Sequence, residues 1–297
     1  MRVLVFGAGA IGSVVGGMLA RAGHDVVLIG RAPHVAAVRR KGLHITGIWG
    51  EHTVANLACY TSIDEMPGGA AAGVFDLILV TVKSYDTPEA ARTVKPLVRR
   101  GTLVLSLQNG CGNVETLEEI IGEEEVLIGS RLRLVELDRL LEIAGAFTLA
   151  GIPAKPTQKI SEHLWGKLLY NAALNPLGAI LRRTYGELAE NPYTREIMDC
   201  VISEIFAAAG AAGVELLWKE PEEFRTIFYE KLVPPTAAHY PSMMRDIELG
   251  RRTEIDALNG AVVRLARDAG VIAPVNLALT DQVKFLEDPT GEHHWTY

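Results

Sequence analysis

Residues 2–31 read RVLVFGAGAIGSVVGGMLARAGHDVVLIGR, and the GxGxxG spacing of Gly7, Gly9 and Gly12 restricts the chain more than any other stretch. Arg2–Phe6 is a short β-branched and apolar run, as a strand buried on both faces requires. Ala10–Ala22 reads as a helix ended by Gly23, and His24–Ile29 as a second strand. Gly7 permits the tight turn from strand to helix, Gly9 lets backbone approach a ligand, and Gly12 lets the helix pack on the strand. A helix N-terminus at this point is a site for a diphosphate, with Gly7, Ala8, Gly9, Ala10, Ile11 and Gly12 as its contacts. The plainer alternative is a merely tight strand-to-helix turn.

Dinucleotide sites that take NAD place an acid at the end of the second strand to bind the ribose 2′-hydroxyl. Here those positions hold Gly30, Arg31 and Ala32. An acid would repel a 2′-phosphate, whereas the planar cation of Arg31 suits one, so the residues point to NADP. The competing reading of Arg31 is a solvated loop arginine.

Further along, DLILVTVK (Asp76–Lys83) and TLVLSLQN (Thr102–Asn109) are again buried-strand runs, separated by the helical TPEAARTVKPLVRR. Weaker strand signals fill Leu43–Tyr60. Strands alternating with helices imply a parallel, doubly wound sheet. After about Ser161 strand-like runs almost vanish, and helical patterns cover His163–Arg183, Thr194–Ala212, Glu220–Lys231, Ser242–Leu249 and Thr253–Ala269. The expected fold is therefore α/β: an N-terminal Rossmann-type doubly wound sheet followed by an all-α C-terminal domain. Pro153 and Pro156 mark the crossing, dividing the chain into residues 1–160 and 161–297. The terminal GEHHWTY reads as frayed.

The 297 residues carry a net charge of −7 without a run of five like charges, which gives no footprint for nucleic acid. Cys59, Cys111 and Cys200 lie far apart and match no CxxC spacing, as in a reducing compartment. The first apolar run breaks at Gly7, and no stretch reaches membrane-spanning length, so the expectation is a cytoplasmic protein. No His, Cys or Asp cluster has metal-ligand spacing.

In the helical half, EHLWGKLLYNAALNPLGAI places Lys167, Asn171 and Asn175 at i, i+4 and i+8. They form one polar stripe on a helix otherwise rich in Trp, Leu and Ala. If buried, such groups need partners, which a ligand carrying carbonyl, hydroxyl and carboxylate groups would supply. The stripe reads equally well as a solvent face. Pro176 removes a helical donor and predicts a kink. In HYPSMMRDIELGRRTEIDALNG, Ser242 reads as a ligand contact or as a helix N-cap, and Glu254 as a site acid or as a first-turn acid favoured by the helix dipole.

Five stretches in order resemble the ketopantoate reductase family: GAGAIGSVVG, VTVKSYDT, SLQNGCGN, LWGKLLYNAALNPLGAI and PSMMRDIELGRRTEID. The resemblance implies NADPH-dependent reduction of a small 2-oxo acid, 2-dehydropantoate, in pantothenate biosynthesis. It implies that Lys167 is the general acid and that Asn171, Asn175 and Ser242 bind substrate. Lys83 and Asn109 would line the nicotinamide side, Glu254 would touch substrate or cofactor, and two copies of the helical domain would pair as a homodimer. The sequence departs from the family pattern at Tyr185, where an asparagine is usual ahead of Gly-Glu-Leu. It departs again between Gly129 and Leu137, where SRLRLVE stands in place of extra strands. Two other readings share the motifs: another NADP-dependent 2-oxo acid or opine-type dehydrogenase, and a non-catalytic NADP-binding redox sensor.

The chemistry suits a lysine. Hydride transfer to a 2-oxo acid builds negative charge on the carbonyl oxygen, and a positioned acid delivers a proton to it. Burial brings a lysine from its usual pKa of about 10.4 toward the working range.

Overall fold

The computed structural model describes residues 1–47, 49–55, 57–69, 73–122 and 134–288. Gly129–Arg133 of the short segment noted above and the GEHHWTY terminus lie outside the described residues. The chain divides into two compact units, one made of residues 1–108 and 112–158, the other of 109–111 and the chain from Lys159 on.

The first unit is built on five parallel strands: β1 (Arg2–Phe6), β2 (Asp25–Ile29), β5 (Ala58–Tyr60), β6 (Leu77–Val80) and β7 (Leu103–Ser106), in the spatial order β5-β2-β1-β6-β7. Val3 of β1 lies opposite Val26 of β2 on one side and Leu77 of β6 on the other. The strands are apolar at nearly every position because both faces are covered. Val3, Val5, Leu28, Leu77 and Leu79 pack with Val15, Met18 and Leu19 of helix α1 (Ala10–Arg21) and Phe147 of α5 (Leu134–Leu149). The alternate residues Leu4, Val27, Ile29, Ile78 and Val80 pack with Ala90, Ala91 and Val94 of α3 (Thr87–Val94) and Leu117 of α4 (Asn113–Ile121). Each of the larger of these side chains (Val, Leu, Ile, Met, Phe), when fully buried, contributes about 1.5–3 kcal/mol. The chain order reverses between β1 and β6, and in open parallel sheets ligands bind beyond the carboxyl ends of strands at such a switch point.

The Leu43–Tyr60 region holds three short strands, but only β5 joins the main sheet. β3 (Leu43–Ile45) and β4 (His52–Val54) form a separate antiparallel pair that packs on α1 at Gly17, where a Cβ would lie 2.7 Å from Ile45 Cδ1. Helix α2 (Ala32–Lys41) follows β2; it, α4 and α5 in this unit, and Tyr185–Glu190 and Pro274–Glu287 in the other, are helices that the sequence pattern does not single out.

The second unit is helical, and among its described residues there is no strand. Its longest helix, α6 (Ile160–Leu181), runs on through Pro176. Around it lie α7 (Tyr185–Glu190), α8 (Pro192–Ala211), α9 (Pro221–Ile227), α10 (Ser242–Glu248), α11 (Asn259–Asp268) and α12 (Pro274–Glu287). Leu168, Leu169, Ala172, Leu174, Met198, Ile202, Phe224, Phe228, Val262 and Val283 form its core.

Two helical readings are corrected. Glu220–Lys231 is α9 followed by a π turn over Phe228–Leu232. Thr253–Ala269 is a 3-10 turn over Ile255–Ala257 followed by α11. The cause of the second break is local: Thr253 Oγ1 accepts the Ile255 amide at 3.2 Å, and Leu258 adopts φ −102°, ψ −104°, outside the helical region. The fully buried Asn259 then ties the start of α11 into the core, its Nδ2 donating to Ala172 O and Asn276 Oδ1 at 3.0 Å. Among the described residues no helix is long and apolar enough to cross a membrane.

Candidate active site

The glycine loop lies at the carboxyl end of β1. Gly7 has φ +113°, and a Cβ there would sit 2.6 Å from Val82 N, so both conformation and space demand glycine. A Cβ on Gly12 would lie 2.4 Å from Gly7 O and 2.5 Å from Thr81 Oγ1, which is what lets α1 come so close to the strand. Gly9 is exposed, and the nearest atom to a Cβ there is 4.0 Å away. The missing side chain leaves room for a ligand there, while the Gly9 amide donates to Gly7 O at 2.6 Å. The amides of Ala8 and Gly7 are held by Ile29 O at 2.8 and 3.0 Å. Those of Ala10, Ile11 and Gly12 open α1 and have no intrahelical carbonyl, so they remain for an anion. These features fit a dinucleotide diphosphate.

At the end of β2, a Cβ on Gly30 would meet Ala8 Cβ at 2.8 Å. No acid can occupy that position without displacing the glycine loop. Arg31, the residue before α2, is exposed. The imidazole of His34, one turn on, meets Ser13 Oγ of α1 at 2.9 Å, a contact that the sequence did not disclose.

Lys83 follows β6 and caps the 3-10 turn Ser84–Asp86 through its backbone, its carbonyl accepting the Asp86 amide at 2.9 Å. Beside it, Gln108 Nε2 donates to Val82 O at 3.1 Å and Thr87 Oγ1 at 2.7 Å, and the Thr87 hydroxyl donates to Asn113 Oδ1 at 2.8 Å. Gln108 thereby braces the segments carrying Lys83 and Asn109. Its place beside Asn109 in SLQN was the one available signal. Asn109–Cys111 pack with the helical unit: the Cys111 amide donates to Ala257 O at 2.9 Å, and a Cβ on Gly110 would lie 2.5 Å from Ala257 Cβ. Gly110 and Cys111, next to Asn109, are thus held against the turn that follows Glu254.

The polar stripe of α6 is not a solvent face. Lys167 is exposed, Asn171 half-buried and Asn175 buried, so the stripe runs from the surface into the helical core. Surrounding protein lowers the Lys167 ammonium pKa by desolvation, and the Glu254 carboxylate, close enough to act on it, opposes that shift. Asn175 Oδ1 accepts a hydrogen bond from the Tyr185 hydroxyl at 2.7 Å. Its Nδ2 has no partner among the described residues and keeps contact with solvent, so it is open to an acceptor on a ligand.

Two of the plainer readings are overturned. Ser242 is not an N-cap: Pro241 holds that position, Ser242 is the exposed first residue of α10, and no side chain caps the helix. Glu254 is not a first-turn acid, because α11 starts only at Asn259. It is half-buried, immediately before the 3-10 turn.

The family model described as "Ketopantoate reductase PanE/ApbA" matches residues 3–139, and "Ketopantoate reductase PanE/ApbA C terminal" matches residues 159–287. The chain is 39% identical to the 2-dehydropantoate 2-reductase of Aquifex aeolicus, covering 97% of each, and 35% identical to that of Pyrococcus horikoshii, covering 98% of this chain and 99% of the relative. Among solved structures it is similar to the PanE/ApbA family ketopantoate reductase of Ralstonia eutropha, with TM-score 0.83, 33% identity, and 97% of this chain and 99% of that one covered. It is similar also to D-mandelate dehydrogenase with NADH and anilino(oxo)acetate, with TM-score 0.86, 26% identity and the same coverage. Two family models that together span most of the chain, and relatives above 30% identity over nearly its whole length, place it: the chain belongs to the ketopantoate reductase family.

Proposed function

We propose that the protein reduces 2-dehydropantoate to pantoate with NADPH, a step of pantothenate biosynthesis, and works as a cytoplasmic homodimer. In this reading residues 1–160 hold the cofactor and residues 161–297 the substrate. The carrying observation is the polar stripe of α6, which runs from Lys167 at the surface, within reach of the Glu254 carboxylate, through the half-buried Asn171 to the buried Asn175. The cofactor, when bound, supplies the hydride that reduces the carbonyl carbon. Lys167 Nζ gives its proton to the carbonyl oxygen as negative charge builds there, help worth about 10²–10⁴ in rate. Asn171 and Asn175 bind the substrate's oxygens, Ser242 at the head of α10 takes its carboxylate, and Glu254 keeps Lys167 protonated for the next turnover.

Gly7, Ala8, Gly9, Ala10, Ile11 and Gly12 cradle the diphosphate, and Lys83 and Asn109 serve the nicotinamide end. Arg31 favours the 2′-phosphate of NADPH, and the want of space at Gly30 keeps an acid away from it. The test is a spectrophotometric assay of NADPH oxidation with 2-dehydropantoate. Turnover that prefers NADPH to NADH supports the reading, and none with 2-dehydropantoate removes it. Likeness to D-mandelate dehydrogenase supports a second reading, reduction of another 2-oxo acid. Comparing 2-dehydropantoate with branched and aryl 2-oxo acids as substrates separates the two.

A further inference from the structure

We propose that Tyr185 is a positioning residue for 2-oxo acid recognition: it turns the Asn175 carbonyl oxygen inward and presents the Asn175 NH2 as a donor to a substrate oxygen. The proposal rests on the reading of Asn175 as a substrate contact and adds the residue that sets its orientation.

The tyrosine cannot easily move. It opens α7, where Thr184 and Glu187 form a reciprocal capping box. Its amide donates to His239 O at 3.0 Å, and the next amide, Gly186, donates to Ala237 O at 2.9 Å. A Cβ on Gly186 would lie 2.9 Å from Ala237 Cβ, so this backbone contact is close as well as bonded. The ring is 8% exposed and packs edge-on against Tyr170 at 5.9 Å and His239 at 6.5 Å between centroids. The phenol oxygen is thereby fixed from three sides.

A buried hydroxyl proton needs an acceptor, and the one it has is Asn175 Oδ1, at 2.7 Å. Burial pushes the Tyr185 pKa up to about 12, so the hydroxyl keeps its proton at every working pH. Because the tyrosine must donate, the amide must offer its oxygen to it, and the NH2 is left facing the other way. Asn175 is 6% exposed, and that NH2 has no acceptor among the described residues. Four residues earlier on the same helix face stands Asn171, and four before that Lys167. The unpartnered donor therefore continues the stripe that begins at the proposed proton donor.

Tyr185→Phe keeps the ring and removes the hydroxyl. In that variant KM for the 2-oxo acid should rise roughly tenfold, while kcat stays within about threefold and the NADPH Kd is unchanged. In an Asn175→Ala background the same change should have no further effect on KM. Unchanged KM in Tyr185→Phe, or additive losses in the double variant, would overturn the proposal. A second measurement needs neither turnover nor a folded tyrosine variant. The Asn175 side-chain NH2 resonances, identified by their loss in Asn175→Ala, should shift when 2-dehydropantoate is added to the wild-type protein saturated with NADP⁺. Resonances that stay put would overturn it. Should the wild type reduce no 2-dehydropantoate, the functional reading fails by itself, and the titration repeated with branched and aryl 2-oxo acids still decides the role of Asn175 and Tyr185.

Discussion

The ammonium of Lys167 is pulled in opposite directions, by desolvation toward the neutral amine and by Glu254 toward the charged form. In the proposed role of proton donor it is active when protonated, so activity should fall as pH rises through its pKa, and that fall should begin below the pH at which an ordinary lysine titrates. Glu254→Gln removes the opposing influence, and the basic limb of the kcat profile should move to lower pH. An unmoved limb would separate Glu254 from the proton. Lys167→Ala should lower kcat by about 10²–10⁴ and leave the NADPH Kd alone. At the other end of the cofactor, a charged hydrogen bond from Arg31 to a 2′-phosphate is worth about 1.5–3 kcal/mol. Arg31→Ala should accordingly weaken NADPH by roughly 10–100-fold and leave NADH unchanged, measured by fluorescence titration. Of these residues the sequence exposed the types and the spacing. It could not expose that Lys167 and Glu254, 87 positions apart, act on each other, or that the Asn175 oxygen is already engaged by Tyr185, because both depend on how α6 meets the chain beyond it.

Among the elements, helix ends decided more than helix interiors. α8 is capped by Asn191, whose Oδ1 accepts the Tyr193 amide at 3.0 Å, so Asn191→Ala should cost about 1 kcal/mol and lower Tm without touching KM. Ser242 makes no such bond. Ser242→Ala should therefore change stability by no more than about 0.5 kcal/mol, and any rise in KM for the 2-oxo acid reports a substrate contact. Calorimetry beside steady-state kinetics checks both variants. The β-branched strand runs and the helices α1, α6 and α8 could be read directly, because their burial repeats along the chain, whereas α5 and α12 were not read. The break between Thr253 and Ala269 could not be read. It arises from one threonine hydroxyl and one non-helical leucine, and a helical pattern of apolar residues continues across it.

For the molecule as a whole, the sequence by itself determined the α/β class, the order of sheet and helical parts, and the dinucleotide loop. The physical reason is that these follow from local periodicity and from backbone that only glycine can supply: Gly7 at φ +113° leaves the chain little choice. Binding follows the same logic, since a ligand held by the native state alone stabilises it by about 2.7 kcal/mol at 100 times its Kd. NADPH at that excess should raise Tm measurably in scanning calorimetry, and the Arg31→Ala variant at the same NADPH concentration should show a smaller rise. Tertiary structure decided where the polar residues lie. Packing buried Asn175 and left Lys167 exposed on one and the same helix stripe, and it carried Asn109–Cys111 into the helical unit against Ala257. It also left Gly30 no room for a side chain, because Ala8 stands against it, 22 positions back in the chain. Spacing along a chain fixes which residues share a face, whereas burial and partners depend on segments far apart in sequence that meet only once the cores have formed.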